Sequence, residues 1–133
     1  MLTQLVVDEF TTPTPINTYE GAAVRDVISL MEQHGVRHIP VVDDLKKPIG
    51  VISERDITLA LSLRDKLDIL ASEIMSVNPY TVYAETPIDE VALNMSKRKI
   101  GSALVVNQAG ELQGMFTSTD ALNALIEVVR GQT

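Results

Sequence analysis

Two short segments hold the side chains best suited to binding a ligand: Gly50-Val51-Ile52-Ser53-Glu54-Arg55-Asp56 and Gly114-Met115-Phe116-Thr117-Ser118-Thr119-Asp120. Each has a glycine inside an apolar run, a hydroxyl three residues later and an acid three residues beyond that. At a strand-to-helix turn this spacing makes a capping box, in which the hydroxyl and the acid satisfy orphan backbone N–H groups. The same spacing suits a small ligand. A helix N-terminus offers free N–H groups and a positive dipole end to a phosphate. An ionised carboxylate repels phosphate but accepts hydrogen bonds from a diol. The two readings are compatible, and the residues alone leave both open. Arg37 and His38 add cations: Arg can grip a phosphate with two donors, and His titrates near neutrality. A solvated strand edge accounts for the same pair. Lys97-Arg98-Lys99 closes a helical stretch, where cations suit the dipole without any ligand. Gly50 and Gly114 imply close backbone approach or a bulge.

The rest of the composition narrows the chemistry. The 133 residues contain no cysteine and two histidines, His34 and His38, which removes disulfides, thiolate nucleophiles and Cys- or His-rich metal sites. No Ser, His and acid are spaced as a catalytic constellation, and Asp43-Asp44 lies in an open turn, so an enzyme is not expected. A net charge of −7 argues against a general nucleic-acid binder. The longest apolar runs fall far short of the roughly 20 residues that span a bilayer, and the first ten residues lack the layout of a secretory signal. A cytoplasmic protein without membrane association is expected.

The elements that must position these residues come in two copies. Shifted by 64 residues without a gap, the chain matches itself at Glu9/Glu73, Pro15/Pro79, Tyr19/Tyr83, Val27/Val91, Met31/Met95, Val41-Val42/Val105-Val106, Gly50/Gly114, Asp56/Asp120 and Ala60-Leu61/Ala124-Leu125. Val24, Val27, Ile28 and Met31 recur at helical spacing, as do Ile88, Val91, Ala92 and Met95. The second of these helices is expected to start with Thr86 as N-cap, Pro87 in the first helical position and Asp89 as the acid. Each helix is followed by a β-rich run (39–42, 103–106), a polar turn (43–47, 107–110) and a second apolar run (49–52, 115–117). Ile57, Ala60 and Leu61, and Ala121, Leu122, Leu125, Ile126 and Val129, define closing amphipathic helices. The joining stretch 63–75 is amphipathic and lacks the composition of a flexible linker.

Gly35-Val36-Arg37-His38-Ile39-Pro40-Val41-Val42-Asp43 followed by Gly50 to Ile57, and Ile100-Gly101-Ser102-Ala103-Leu104-Val105-Val106 followed by Gly114 to Ala121, resemble the signature of the CBS (cystathionine beta-synthase) domain. The resemblance runs from about Phe10 to the end and implies a stand-alone tandem pair. It implies an α+β fold of two β-α-β-β-α repeats, residues 1–66 and 67–133, packed sheet to sheet about a pseudo-twofold axis. It also implies a regulatory module that binds an adenosine-containing small molecule (AMP, ADP or ATP) in clefts between the repeats. Such a module reports occupancy to a partner and leaves the ligand unchanged. By position, Asp56 and Asp120 would hold ribose hydroxyls, and Ser53 and Thr117, with Arg55 and Ser118 beside them, would meet phosphate. Asn17-Thr18 and Thr81-Val82 would line adenine through their backbone, Asn17-Thr18 departing from the usual pattern. Arg37-His38 and Gly101-Ser102 would each face the cleft built around the other repeat's acid. A homodimer and an unidentified regulated protein complete the expectation. The alternative is a structural dimerisation or docking pair with empty clefts.

Overall fold

The computed structural model describes residues 5–13, 15–63 and 69–131. These form two compact units. One is Pro15–Pro79, and the other joins Met1–Thr14 to Tyr80–Thr133.

In the first unit, strand β2 (Thr18–Tyr19) leads into helix α1 (Val24–His34). The hairpin β3 (His38–Val42) and β4 (Pro48–Ser53), then helix α2 (Glu54–Leu63), follow. A one-turn helix α3 (Ala71–Ile74) and strand β5 (Ser76–Val77) complete the unit. The sheet order is β2-β3-β4-β5, with β2 parallel to β3 and the other pairs antiparallel. Val24, Val27 and Met31 place the apolar stripe of α1 in a core with Ile39, Val41, Ile52 and Ile57. Helix α1 stops at Gly35, whose φ of 62° requires little of a residue without a Cβ. The hairpin turn is closed by Asp43, whose Oδ1 accepts from the N–H groups of Leu45 and Lys47, both at 2.9 Å.

The second unit repeats this plan. Strand β6 (Thr81–Val82), helix α4 (Ile88–Arg98), hairpin β7 (Ser102–Val106) and β8 (Leu112–Thr117), and helix α5 (Ser118–Gly131) follow in order. A 3₁₀ turn (Val7–Phe10) and strand β1 (Thr12–Pro13), from the start of the chain, supply the outer edge of its sheet, ordered β1-β8-β7-β6. Val7, Val91, Met95, Val105 and Phe116 make its core. The expected N-cap role of Thr86 is corrected. Helix α4 starts at Ile88 with Pro87 as its N-cap. The Thr86 hydroxyl instead accepts from the Tyr83 N–H at 3.1 Å, closing the preceding turn. The Ile88 N–H, which a side-chain cap would leave to water, donates to the Leu5 carbonyl at 2.9 Å. The basic run at the end of α4 proves partly anchored: Arg98 lies 4.9 Å from the centroid of the Tyr80 ring, whose hydroxyl accepts from Asn94 Nδ2 at 3.2 Å.

The packing follows a different division from residues 1–66 and 67–133. In the 64-residue register β1 corresponds to β5, yet β1 pairs with β8 and β5 with β4. The leading strand of each sequence repeat thus completes the sheet of the other. The straps before these strands are held alike. The Val7 N–H donates to the Thr86 carbonyl at 2.9 Å, and the Ala71 N–H to that of Ala22 at 2.7 Å. Glu9 Oε2 accepts from the Val6 N–H and Glu73 Oε2 from that of Leu70, at 2.9 and 2.8 Å. Of the joining stretch 63–75, residues 64–68 lie outside the described residues; Ile69 and Ala71 bury its apolar side.

Candidate functional site

In the first unit, the end of β4 becomes the start of α2 at Ser53. The Ser53 N–H donates to Asp56 Oδ2 at 2.9 Å, and the Asp56 N–H donates to Ser53 Oγ at 3.0 Å. This is the reciprocal capping box that the spacing requires. Across the hairpin, His38 is the ladder partner of Ser53. The Arg37 carbonyl accepts from the Glu54 N–H at 2.9 Å, so the entry of β3 is tied to the first turn of α2. Arg37, His38, Ser53, Arg55 and Asp56 therefore gather at one end of the sheet. Arg37 and Arg55 are exposed, whereas His38, Ser53 and Asp56 are half-buried. Burial lowers the pKa of His38 below 6.5; Arg37 acts in the same direction and Asp56 opposes it. The resemblance assigns His38 to the cleft of Asp120. Inside its own unit, the carboxylate whose field reaches it is Asp56.

The second unit places Gly101, Ser102, Thr117, Ser118 and Asp120 in the same arrangement, with different chemistry. Ser102 opposes Thr117, and the Gly101 carbonyl accepts from the Ser118 N–H at 3.2 Å. The Thr117 N–H donates to Asp120 Oδ2 at 2.8 Å, and here the hydroxyl donates too, to the same oxygen at 3.1 Å. No cation occupies the positions of Arg37 and His38. Both carboxylates are anchored through Oδ2; among the described residues, Oδ1 of each makes no hydrogen bond within the chain.

The expected adenine-lining loops stand apart from the caps. Thr18 pairs with Val41, three residues along β3 from His38, or about 10 Å at the rise of a strand. Asn17 and Thr18 line an open cavity of about 410 Å³ with Tyr19, Asp26, Ser29 and Asp43. The Asn17 amide donates to the Pro15 carbonyl at 3.1 Å. Thr81 and Val82 pair with Leu104 and Val105; Val82 is buried, leaving backbone as its contribution to any ligand. Sequence reasoning gave no role to Glu9 and Glu73, although their identity in the duplication was the available signal. Among the described residues there is no group of three or more His, Cys, Asp or Glu placed to hold a metal.

Comparison with known proteins agrees with this architecture. The CBS domain model matches residues 7–63 and 71–127, and the chain belongs to the CBS-domain family. It is 33% identical over 116 residues to L-aspartate semialdehyde sulfurtransferase of Methanocaldococcus jannaschii, covering 87% of this chain and 22% of that protein. The chain spans only about a fifth to a quarter of the first curated relatives it matches. A solved CBS domain pair in complex with 5′-methylthioadenosine and S-adenosyl-L-methionine superposes with a TM-score of 0.86 at 27% identity, covering 98% of this chain and 100% of that one. A CBS domain protein of Pyrobaculum aerophilum complexed with AMP gives 0.81 at 31% identity, with 87% and 89% covered.

Proposed function

We propose that the chain is a regulatory module that binds an adenosine-containing ligand of the AMP, ADP or ATP class at the starts of α2 and α5, and that it is not itself a catalyst. The observation that carries this reading is the pair of carboxylates, Asp56 and Asp120. Each is fixed through Oδ2 at a helix N-terminus with Oδ1 left for a diol, while the Ser53 hydroxyl, which accepts from the Asp56 N–H, keeps its hydrogen for a phosphate. Solved members of the family hold AMP, 5′-methylthioadenosine and S-adenosyl-L-methionine, which supports the ligand class. Occupancy would be passed to a regulated protein, and the net charge of −7 disfavours nucleic acid as that partner. Among the described residues no helix is long and apolar enough to cross a membrane, and the reading places the protein in the cytoplasm.

The module is proposed to act as a homodimer. Helix α5 carries Leu122, Leu125, Ile126 and Val129 as one stripe, exposed by 47–60%. A twofold pairing would cover such a stripe with itself. Sedimentation at micromolar concentration is expected to give twice 14.5 kDa; a monomer overturns this part alone. For the ligand, thermal unfolding with AMP, ADP, ATP and S-adenosyl-L-methionine is expected to show a midpoint rising with concentration. Mass spectrometry of small molecules released from the denatured protein would identify a co-purified effector. No shift with any adenosine compound at millimolar levels favours the empty docking pair.

A further inference from the structure

We infer that the cavity between β2, α1 and the β3–β4 turn is a second ligand site, set apart from the start of α2, and that it takes a small organic amine as its ammonium ion.

The residue that points to a ligand is Thr18. It is only 7% exposed, yet its hydroxyl makes no hydrogen bond among the described residues. No sealed side-chain oxygen or nitrogen among those residues lacks a partner, so the Thr18 oxygen must open onto accessible space. The space that Thr18 lines is this cavity, of about 410 Å³. The fold itself does not need the hydroxyl. In the 64-residue register Thr18 matches Val82, which pairs with Val105 as Thr18 pairs with Val41 and is buried as deeply. A buried hydroxyl costs free energy unless it is partnered. A partner that enters from the cavity accounts for its presence.

The other groups around the opening specify that partner. Asp26 and Ser29 line the cavity from α1, Asp43 from the hairpin turn and Tyr19 from β2. Oδ2 of Asp43 and both oxygens of Asp26 accept no hydrogen bond among the described residues. No Lys, Arg or His is among the described residues that line the cavity. A first-turn acid such as Asp26 suits its helix dipole without any ligand; Thr18 has no such explanation. A hard metal ion would ask for more oxygens than two carboxylates supply. An alkylammonium fits the whole set: three donors for the Thr18, Ser29 and carboxylate oxygens, and a positive charge for the carboxylates and the exposed Tyr19 ring. Its methylenes suit the apolar floor of Ala22, Leu30 and Val42. The volume is that of a small-molecule site. The same carboxylates repel a phosphate, which separates this cavity chemically from the start of α2.

Calorimetric titration with putrescine at fixed ionic strength, beside amide NMR spectra, tests this. Putrescine is expected to bind saturably, with shifts at Thr18, Tyr19 and Ser29, and uncharged butanediol is expected not to bind. Thr18→Val should weaken putrescine binding about threefold to tenfold, and Asp26→Asn about tenfold. Asp26 is exposed, so its variant carries the test should Thr18→Val not fold. Glu127→Gln, which removes an exposed acid of the other unit, should change nothing. Equal weakening by Glu127→Gln and Asp26→Asn would mean that the net charge of −7 attracts amines without a site, and overturns the inference. Unaltered affinity in a folded Thr18→Val overturns it too, as does displacement of putrescine by magnesium chloride at equal ionic strength. AMP is expected to leave putrescine affinity unchanged; competition would assign the cavity to the adenosine ligand and overturn the inference. Failure of AMP to bind at all sinks the adenosine reading and leaves this one standing.

Discussion

The sulfur of Met75 occupies the space that a side chain on Gly50 would need: a Cβ built there stands 2.6 Å from Sδ and 3.1 Å from Cβ of Met75. The cause is strand β5, which pairs with β4 at Gly50 and Val77 and carries Met75 over the glycine. Gly50→Ala is therefore expected to cost about 1–3 kcal/mol of stability through overpacking. Because the clash is with a flexible side chain, Met75→Ala should recover part of that loss. A double-mutant cycle by urea denaturation would show this coupling; strictly additive effects would refute it.

Lys99 ends α4 in the left-handed region with φ of 54°, at the position where Gly35 ends α1. A side chain there costs about 1–2 kcal/mol, partly offset by the greater freedom that glycine has when unfolded, about 0.5–1 kcal/mol. Lys99→Gly is expected to raise the urea midpoint, by up to about 1 kcal/mol in stability. Gly35→Ala should lower it: a Cβ at that position meets nothing within 4 Å, so the whole effect is conformational. A destabilised Lys99→Gly would contradict this account.

The helices, the hairpins and the caps at Ser53 and Thr117 were legible in the sequence because each is local, whereas the cap expected at Thr86 fails because the Ile88 N–H is taken by the distant Leu5 carbonyl. The stripe Val24, Val27, Met31 and the spacing Ser53 to Asp56 are set within a few residues, and both form as expected. The family resemblance then supplied the tandem α+β fold. The exchanged strands were not legible. Thr12–Pro13 and Ser76–Val77 are two residues long and exposed, too short for any period to show, and their partners lie about 100 and 25 residues away in sequence. The exposed stripe of α5 has the same origin: its period predicts a helix correctly, but periodicity cannot say that Leu122 and Leu125 stay exposed among the described residues. At the site, the two segments look equivalent in sequence. The turn of the Thr117 hydroxyl toward Asp120, where the Ser53 oxygen accepts, is a rotamer choice that residue spacing leaves free.

His38 should make stability depend on pH. Burial keeps its native pKa below 6.5. As pH falls through about 6.5 the unfolded chain takes up a proton that the native chain does not yet bind, so stability falls. The loss ceases once pH drops below the native value, and at pH 8 neither state is charged and no penalty exists. His38→Gln is expected to remove this slope in the window just below pH 6.5. Urea midpoints over a pH series would check it; parallel curves for the two proteins would show that His38 is not the group responsible.

Asp56 and Asp120 each combine two tasks, closing a helix and offering an oxygen to a ligand, and replacement by asparagine separates them. An Asn carbonyl oxygen still accepts from the N–H of Ser53 or Thr117, as an amide does at the third position of a capping box. Stability of Asp56→Asn and Asp120→Asn should therefore fall by no more than about 0.3–1 kcal/mol, the worth of a first-turn negative charge, whereas the alanine variants should lose about 1 kcal/mol more with the hydrogen bond. The ligand task is different, because a diol bound to a carboxylate gains charge-assisted hydrogen bonds, roughly twice as strong as neutral ones. Each asparagine variant is expected to weaken adenosine or AMP binding at its own site about tenfold, or about 1.4 kcal/mol, with the fold intact. Calorimetric titration beside urea denaturation reads both quantities on the same protein. If an asparagine variant keeps full stability and full affinity, its carboxylate is a cap alone, and the ribose must be held elsewhere.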